Sequence, residues 1–264
     1  MKCYCSSVLL YAYSLEETLT ISRKIGYDGV ELWHIHLLNT GEDPAAVGRK
    51  AADLGLELSV HALSWDLNFT SALPEIREAS LRLLESSLNT AAALGAPRVI
   101  VHPGHMTDST GGVDRYWEYL VSGVTRLADA AARKGLELSV EIMEPIAKEF
   151  FIAPEDAARL LERVNRENLT ITFDAAHVPF NQDPLELFRR TPGVRHLHLS
   201  DAHESKFHLP LGEGKRDFLP LLRYAQQVDP GMIVALEGIE YRRTTRLAEQ
   251  NYQYFTREAQ QAGQ

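Results

Sequence analysis

Acidic and imidazole side chains recur at the ends of short apolar runs along the chain. The acidic and imidazole residues at or near the ends of these runs are Glu31, His61, His102, Glu141, Asp174, His196, His198 and Glu237. Buried carboxylates and imidazoles need compensating partners, and a divalent cation is the simplest partner that all of them can share. The pattern therefore predicts a metal site, provided that the fold brings the ends of these runs together.

Eight such apolar runs alternate with amphipathic segments of helical length. Pro74 and Pro154 stand where the first turn of a helix tolerates proline, and Gly55, Gly95 and Gly135 stand where helices should end. Eight strand–helix units in 264 residues give about 33 residues per unit, which is typical of a βα repeat. The predicted strands are residues 5–11, 29–33, 56–61, 98–102, 136–141, 169–173, 194–199 and 232–236, and the predicted helices include 74–94, 114–133, 154–165 and 244–262.

This alternation predicts an α/β fold, a single-domain (β/α)8 TIM barrel over residues 1–264. An open doubly wound sheet would need a glycine-rich phosphate-binding turn after its first strand, and residues 5–16 carry no such glycines. In a barrel, functional residues lie at the carboxyl ends of the strands. The polar ends of the eight runs should therefore meet at one mouth. All ten histidines are expected at strand ends or in the loops beyond them, and none within a helix.

Composition narrows the class of protein. The chain has 27 Lys and Arg against 36 Asp and Glu, a formal net charge of −9, and 45% apolar residues. This acidic balance argues against a nucleic-acid partner, and no apolar run approaches the about 20 residues of a membrane span. The N-terminus has no secretory pattern, and Cys3 and Cys5 are too few for a disulfide framework, so both are expected as small core residues. We expect a cytoplasmic enzyme.

The strand ends resemble those of the xylose isomerase-like barrel superfamily, which includes sugar epimerases and isomerases, inosose dehydratases and endonuclease IV. The resemblance covers the chain from the second predicted strand to the eighth. It rests on Gly26–Leu32, Val60–Ala62, Val101–Gly104, Glu141, Phe173–His177, His196–Asp201, His208–Gly214 and Glu237.

The resemblance implies a divalent metal ion held by carboxylates and one imidazole. In the sugar epimerase branch, the ligands end the fifth, sixth and eighth strands, with a histidine from the seventh. Carried over, they are Glu141, Asp174, His198 and Glu237. Carboxylates and imidazoles without a thiolate suit Mn, Zn, Mg, Co or Fe.

A second set of residues resembles the further ligands of endonuclease IV, which holds three zinc ions. The set is His61, His102, His177 and His208, and it could hold a second metal ion or the substrate. The remaining aspartate of that enzyme corresponds to Lys206, whose ammonium has no lone pair to give a cation. One or two ions are therefore expected, and not three.

The function implied by the resemblance is a metal-dependent isomerase or epimerase of a sugar, a sugar phosphate or a cyclitol. Glu141 and Glu237 would transfer protons through an enediolate. The alternatives are an inosose-dehydratase-like lyase and an endonuclease IV-like abasic-site endonuclease. The expected partner is a small sugar or cyclitol, with a homo-oligomer left open. Substrate-binding candidates are Trp33, Trp65, Glu213 and Arg216.

Overall fold

The computed structural model describes residues 1–108, 112–204 and 206–262. Its strands are β1 (Lys2–Ser6), β2 (Gly29–Trp33), β3 (Glu57–His61), β4 (Arg98–Val101), β5 (Glu137–Glu141), β6 (Leu169–Asp174), β7 (Val194–Leu199), β8 (Asp201–His203), β9 (Lys206–Leu209) and β10 (Ile233–Leu236). Its helices are α1 (Leu15–Ile25), α2 (His34–Thr40), α3 (Pro44–Asp53), α4 (Pro74–Leu94), α5 (Asp114–Ala132), α6 (Pro154–Val164), α7 (Pro184–Arg190), α8 (Leu219–Val228) and α9 (Arg246–Ala262).

The parallel strands close into a barrel in the order β1, β10, β7, β6, β5, β4, β3 and β2. The first and last barrel strands pair directly, with Cys3 opposite Val234. The predicted (β/α)8 barrel is therefore confirmed. The remaining strands, β8 and β9, form an antiparallel hairpin that follows the carboxyl end of β7.

Local sequence signals explain where the helices begin and end. The side chain of Ser14 accepts a hydrogen bond from the backbone of Glu17, whose carboxylate accepts one from the backbone of Ser14, so a capping box starts α1. Pro74 occupies the first turn of α4, and Gly95 ends that helix with a φ of 72°, which favours glycine. The barrel strands and the helices predicted from the sequence agree with these bounds to within two residues, except for the first strand.

The sequence predicts the first strand over residues 5–11, and this prediction is wrong. β1 covers Lys2–Ser6, and the apolar residues that follow it, Ser7–Leu10, form a turn of 3-10 helix. Both segments are almost entirely buried, so an apolar run could not separate the strand from the turn. Only the pairing of Lys2–Cys5 with residues 233–236 sets the strand's true position.

Two histidines correct the expectation that none lies in a helix. His34 and His36 belong to the short helix α2, directly after β2. The His34 ring is buried, with Nδ1 2.8 Å from Ser87 Oγ and Nε2 3.1 Å from Thr90 Oγ1, both on α4. These histidines are packing residues of the helical layer rather than strand-end groups.

The interior of the barrel is polar, whereas the apolar core lies between the sheet and the helices. Glu31 on β2 is fully buried and accepts a hydrogen bond from Ser59 on β3. It also lies 2.8 Å from Nε2 of His196 on β7. Because β2 and β7 are not neighbours in the sheet, this contact crosses the barrel interior. Cys3 and Cys5 are buried and free, as expected of small core residues.

Among the described residues, no helix has the length and apolar character needed to cross a membrane.

Candidate metal centre and active site

Four side chains from successive barrel strands meet at the carboxyl mouth of the barrel. Nδ1 of His198 lies 3.3 Å from Oε1 of Glu141 and 3.3 Å from Oε1 of Glu237. Potential ligand atoms of Glu141, Asp174 and His198 all lie within 4.8 Å of one another. The register explains the convergence, because His198 is the partner of Asp174 on β6 and of Ala235 on β10, two residues before Glu237. The structure thus brings together the four predicted ligands.

Several polar atoms of this cluster are buried without a hydrogen-bond partner among the described residues. They include Oε2 of Glu141, Oδ2 of Asp174 and Nδ1 of His198. An unsatisfied buried polar group costs about 1–3 kcal/mol, and more when it is charged. A divalent cation would satisfy carboxylate oxygens and an imidazole nitrogen together, so this donor set fits a metal ion.

The charges of the cluster are strongly coupled. Burial would raise the pKa of Glu141, yet His198 and His102 hold that pKa well below its usual range. Burial raises the pKa of Glu237, and the carboxylates of Asp174 and Glu141 raise it further. The neighbouring carboxylates therefore oppose a further negative charge at Glu237, and a bound cation would relieve that repulsion.

The second set of predicted histidines surrounds the same point. His102 Nε2 and His61 Nε2 lie 3.3 and 3.6 Å from Oε2 of Glu141. On the other side, His177 Nε2 lies 3.3 Å from Oδ2 of Asp174 and 3.2 Å from Nε2 of His208. Each side forms a further group of three possible ligands. The structure brings all four histidines to the mouth, and their roles as ligands or substrate contacts stay predictions.

Glu31 is recognised in the sequence as a polar strand-end residue, but no role in the site is predicted for it. Its Oε1 lies 3.0 Å from Nε2 of His198 while its other oxygen faces His196, and all three side chains are fully buried. A carboxylate behind a metal-ligating histidine fixes the orientation of the ring and raises its basicity. The signal was a single acidic residue inside the apolar strand Gly29–Trp33.

The segment between β5 and α6 adds two acidic side chains. Glu144 Oε2 lies 3.4 Å from Nε2 of His177. Burial, reinforced by the nearby Glu144, raises the pKa of Glu149 to about 7. Glu149 lines a polar cavity of about 400 Å³ together with Asn68, His102 and others. This cavity opens beside the cluster and offers hydrogen-bonding groups suited to hydroxyl groups.

The predicted substrate contacts lie at different depths. Trp33 stacks on His61 with ring centroids 4.0 Å apart, and Trp65 lies 6.1 Å from Trp33 with 42% of its surface exposed. The Arg216 guanidinium donates to the backbone carbonyls of Val178 and Gln182, in the loop after β6. These three residues border the mouth, and their contact with a substrate stays a prediction.

Glu213 is the fourth predicted substrate contact. It is exposed on the turn after β9 and accepts a hydrogen bond from Gln250 on α9 at 3.0 Å. It lines a separate cavity that it shares with His208.

Comparison with known proteins agrees with the barrel fold. The family model described as xylose isomerase-like TIM barrel matches residues 19–258. A ketose 3-epimerase of Arthrobacter globiformis is 25% identical over 222 residues, which cover 78% of this chain and 70% of that protein. An uncharacterised protein of Methanocaldococcus jannaschii is 24% identical over 189 residues, which cover 69% of this chain and 64% of that protein. The crystal structure of a D-tagatose 3-epimerase-like protein superimposes with a TM-score of 0.88 at 21% identity, covering 100% of this chain and 98% of the other.

The class of protein follows from the family match together with the barrel and the acidic and imidazole side chains at its mouth. The chain belongs to the xylose isomerase-like TIM barrel family. The resemblance inferred from the strand-end motifs is therefore confirmed.

Proposed function

We propose that this protein is a divalent-metal-dependent isomerase or epimerase of a small ketose or cyclitol. The observation that carries the proposal is the convergence of Glu141, Asp174, His198 and Glu237 at one buried point. The similarity to a ketose 3-epimerase over most of the chain supports the same reaction class.

The metal ion would be held by Glu141, Asp174, His198 and Glu237, and His61, His102, His177 and His208 could hold a second ion or the substrate. When bound, the ion supplies Lewis-acid polarisation of a carbonyl or hydroxyl oxygen, which makes the adjacent C–H more acidic. Glu31 holds the ring of His198 from behind, so that Nδ1 points into the cluster.

Glu141 and Glu237 are the proposed proton-transfer groups. One carboxylate accepts the carbon-bound proton, giving an enediolate, and the other returns a proton to the opposite face or to the adjacent carbon. Glu141 ends its strand and Glu237 follows one, and each places an oxygen 3.3 Å from Nδ1 of His198, so a substrate carbon bound at this point would face two carboxylates. Trp33 and Trp65 would pack against the sugar, and His177 and Arg216 would bind its oxygen atoms.

The test is a panel of ketoses and inososes in deuterated water with the metal-loaded protein. Epimerisation or isomerisation by proton transfer puts deuterium on the product carbon. Glu141→Gln and Glu237→Gln should each abolish most turnover while metal content, measured by elemental analysis, falls only partly, because the amide keeps a ligand oxygen. His177→Ala should mainly weaken substrate binding or remove a second ion. Glu118→Gln, an exposed carboxylate on α5 that pairs with Arg163, is the matched control and should keep full activity.

Three results would overturn parts of the proposal. Near-full activity of Glu237→Gln would reduce Glu237 to a structural ligand and refute the two-carboxylate mechanism. Loss of water from an inosose without isomerisation would identify a lyase of the dehydratase type. Cleavage of a duplex at an abasic site, together with three equivalents of zinc, would identify an endonuclease.

A further inference from the structure

A second cavity adjoins the cluster on the side of His208. Its volume is about 600 Å³, and it lies between the β8–β9 hairpin with its following turn and the segment that joins β10 to α9. The charged and polar residues that line it include Lys206, His208, Arg242, Arg246 and Gln250, together with the carboxylates Glu213 and Glu240. Cavities of this size hold small-molecule ligands.

His208 connects this cavity to the metal centre. It lines the cavity, while its Nδ1 lies 3.8 Å from Oε2 of Glu237 and its Nε2 lies 3.2 Å from Nε2 of His177. A ligand whose reacting atoms lie at the cluster could therefore extend past His208 into the cavity.

Three cations line the cavity, Lys206, Arg242 and Arg246, against the two carboxylates of Glu213 and Glu240. Arg242 is held by Glu240 through contacts of 2.7 and 2.8 Å, and Glu213 accepts from Gln250. In the described ranges 1–108, 112–204 and 206–262, neither Lys206 nor Arg246 has a carboxylate oxygen within 4.0 Å. Their positive charges are available to a ligand.

The backbone adds to this positive potential. Arg246 is the first residue of α9, a helix of 17 residues, and its backbone N–H donates to Thr244 Oγ1 at 3.3 Å. Because that N–H is already bonded to Thr244, the helix contributes through its dipole, whose positive N-terminal end favours an anion. In TIM barrels, the loops after the seventh and eighth barrel strands often bind phosphate, and those loops enclose this cavity.

Lys206 gives the clearest link to the chemistry. It lies on β9 two residues before His208, and both side chains line the cavity. An ammonium cannot ligate a cation, but it can bind an anion there.

We propose that this cavity binds a terminal oxyanion of the substrate, either a phosphate or a carboxylate, through Lys206 and Arg246. The inference rests on the proposed function and narrows its substrate class to anionic sugars. The anion would lie beyond His208, so that the sugar carbons extend back toward Glu141 and Glu237.

The experiment compares D-fructose, D-fructose 6-phosphate and D-fructuronate as substrates and as ligands of the metal-loaded protein. Lys206→Met and Arg246→Gln should each raise KM and Kd for the preferred anionic sugar tenfold or more, and change those for D-fructose less than twofold. Lys206→Arg should restore most of the binding. Lys215→Met is the matched control, because Lys215 is an exposed lysine paired with Glu204 outside the cavity.

Calorimetric binding separates this inference from the proposed reaction. Lys206-dependent preference for the phosphate or the carboxylate over D-fructose supports the anion site, even if none of the three is turned over, and shows which oxyanion it takes. Turnover of D-fructose with no preference for either anionic sugar would leave the proposed function intact and overturn the anion site. Unchanged anion binding in both Lys206→Met and Arg246→Gln would overturn it as well.

Discussion

At the scale of single residues, the orientation of the His198 ring depends on the carboxylate of Glu31, for which the sequence predicted no role. Glu31 is fully buried and contacts both His196 and His198 across the barrel interior. Burial would raise the pKa of Glu31, yet the two histidines hold it well below its usual range. Glu31 is therefore an anion that positions His198 for its proposed role.

We predict that Glu31→Gln weakens metal binding without unfolding the barrel. The amide keeps the shape of the side chain but loses the charge that stabilises the His198 ring, and such changes typically cost 10–100-fold in metal affinity. Titration of chelator-treated protein with Zn²⁺ or Mn²⁺ measures the loss. Ser59→Ala, which removes only the hydroxyl that donates to Glu31, is the control and should lose less. Equal affinity in Glu31→Gln and the unaltered protein would contradict this role.

A second prediction at this scale concerns His34, whose burial lowers its pKa to about 4. In the unfolded chain, His34 has the ordinary histidine pKa of about 6.5. Between pH 6.5 and 4, the unfolded chain therefore binds more protons than the folded state. The stability contributed by neutral His34 is therefore complete above pH 6.5 and is lost as the pH falls toward 4.

His34→Asn should reduce this acid sensitivity. The variant will be less stable at pH 7, because it gives up contacts to Ser87 and Thr90. The decrease in Tm between pH 7 and pH 5 should nevertheless be smaller than in the unaltered protein. Thermal unfolding followed by circular dichroism at both pH values checks it, and an equal or larger decrease would show that His34 does not titrate on unfolding.

At the scale of secondary-structure elements, α3 and α4 pack closely because of one glycine. Gly48 lies within α3, and a Cβ built there would lie 2.3 Å from the carbonyl oxygen of Leu94, the last residue of α4. Helix propensity alone favours alanine over glycine by about 1 kcal/mol. Contact with a backbone atom that cannot rotate away should outweigh that preference.

Gly48→Ala is therefore expected to destabilise the protein by about 1–3 kcal/mol, which is the usual cost of overpacking. The measurement is Tm, or the unfolding midpoint in urea where unfolding is reversible. Gly112→Ala is the control, because a Cβ at Gly112 meets nothing within 4 Å. A Tm for Gly48→Ala at or above that of the unaltered protein would mean that α3 shifts freely over α4.

At the scale of the whole molecule, a bound cation should act as part of the fold. The mouth gathers carboxylates from β5, β6 and the end of β10 in a chain whose net charge is already −9. A ligand that binds only the folded state at 100 times its Kd adds about 2.7 kcal/mol to the free energy of unfolding.

Restoring metal to chelator-treated protein should consequently raise Tm by about 5–10 °C, at about 2–4 °C per kcal/mol for a chain of this size. Differential scanning calorimetry with Mn²⁺, Zn²⁺, Mg²⁺, Co²⁺ and Fe²⁺ in turn would identify the preferred ion. Elemental analysis should find one or two equivalents per chain. If none of the five ions raises Tm, the metal site is contradicted. Three equivalents of metal per chain would contradict the prediction that Lys206 prevents a third ion from binding.

The sequence by itself determined the barrel and the polar character of its mouth. The alternation of apolar runs and helical segments is a local property, and parallel strands in a closed sheet must present their carboxyl ends on one face. For that reason, the positions of Glu141, Asp174 and Glu237 at or just after strand ends were enough to predict that they would meet. The order and spacing of the polar strand ends also indicated the xylose isomerase-like family.

Only the tertiary structure decided which groups face each other across the barrel and between loops. The contact of Glu31 with His196 depends on strands that are not neighbours in the sheet, and the cavity of Lys206 and Arg246 joins segments about 40 residues apart. The helix that contains His34 and the short hairpin β8–β9 are too brief to show a period of their own. Such pairings arise when the sheet closes and its loops pack, and periodicity along the chain carries no information about them.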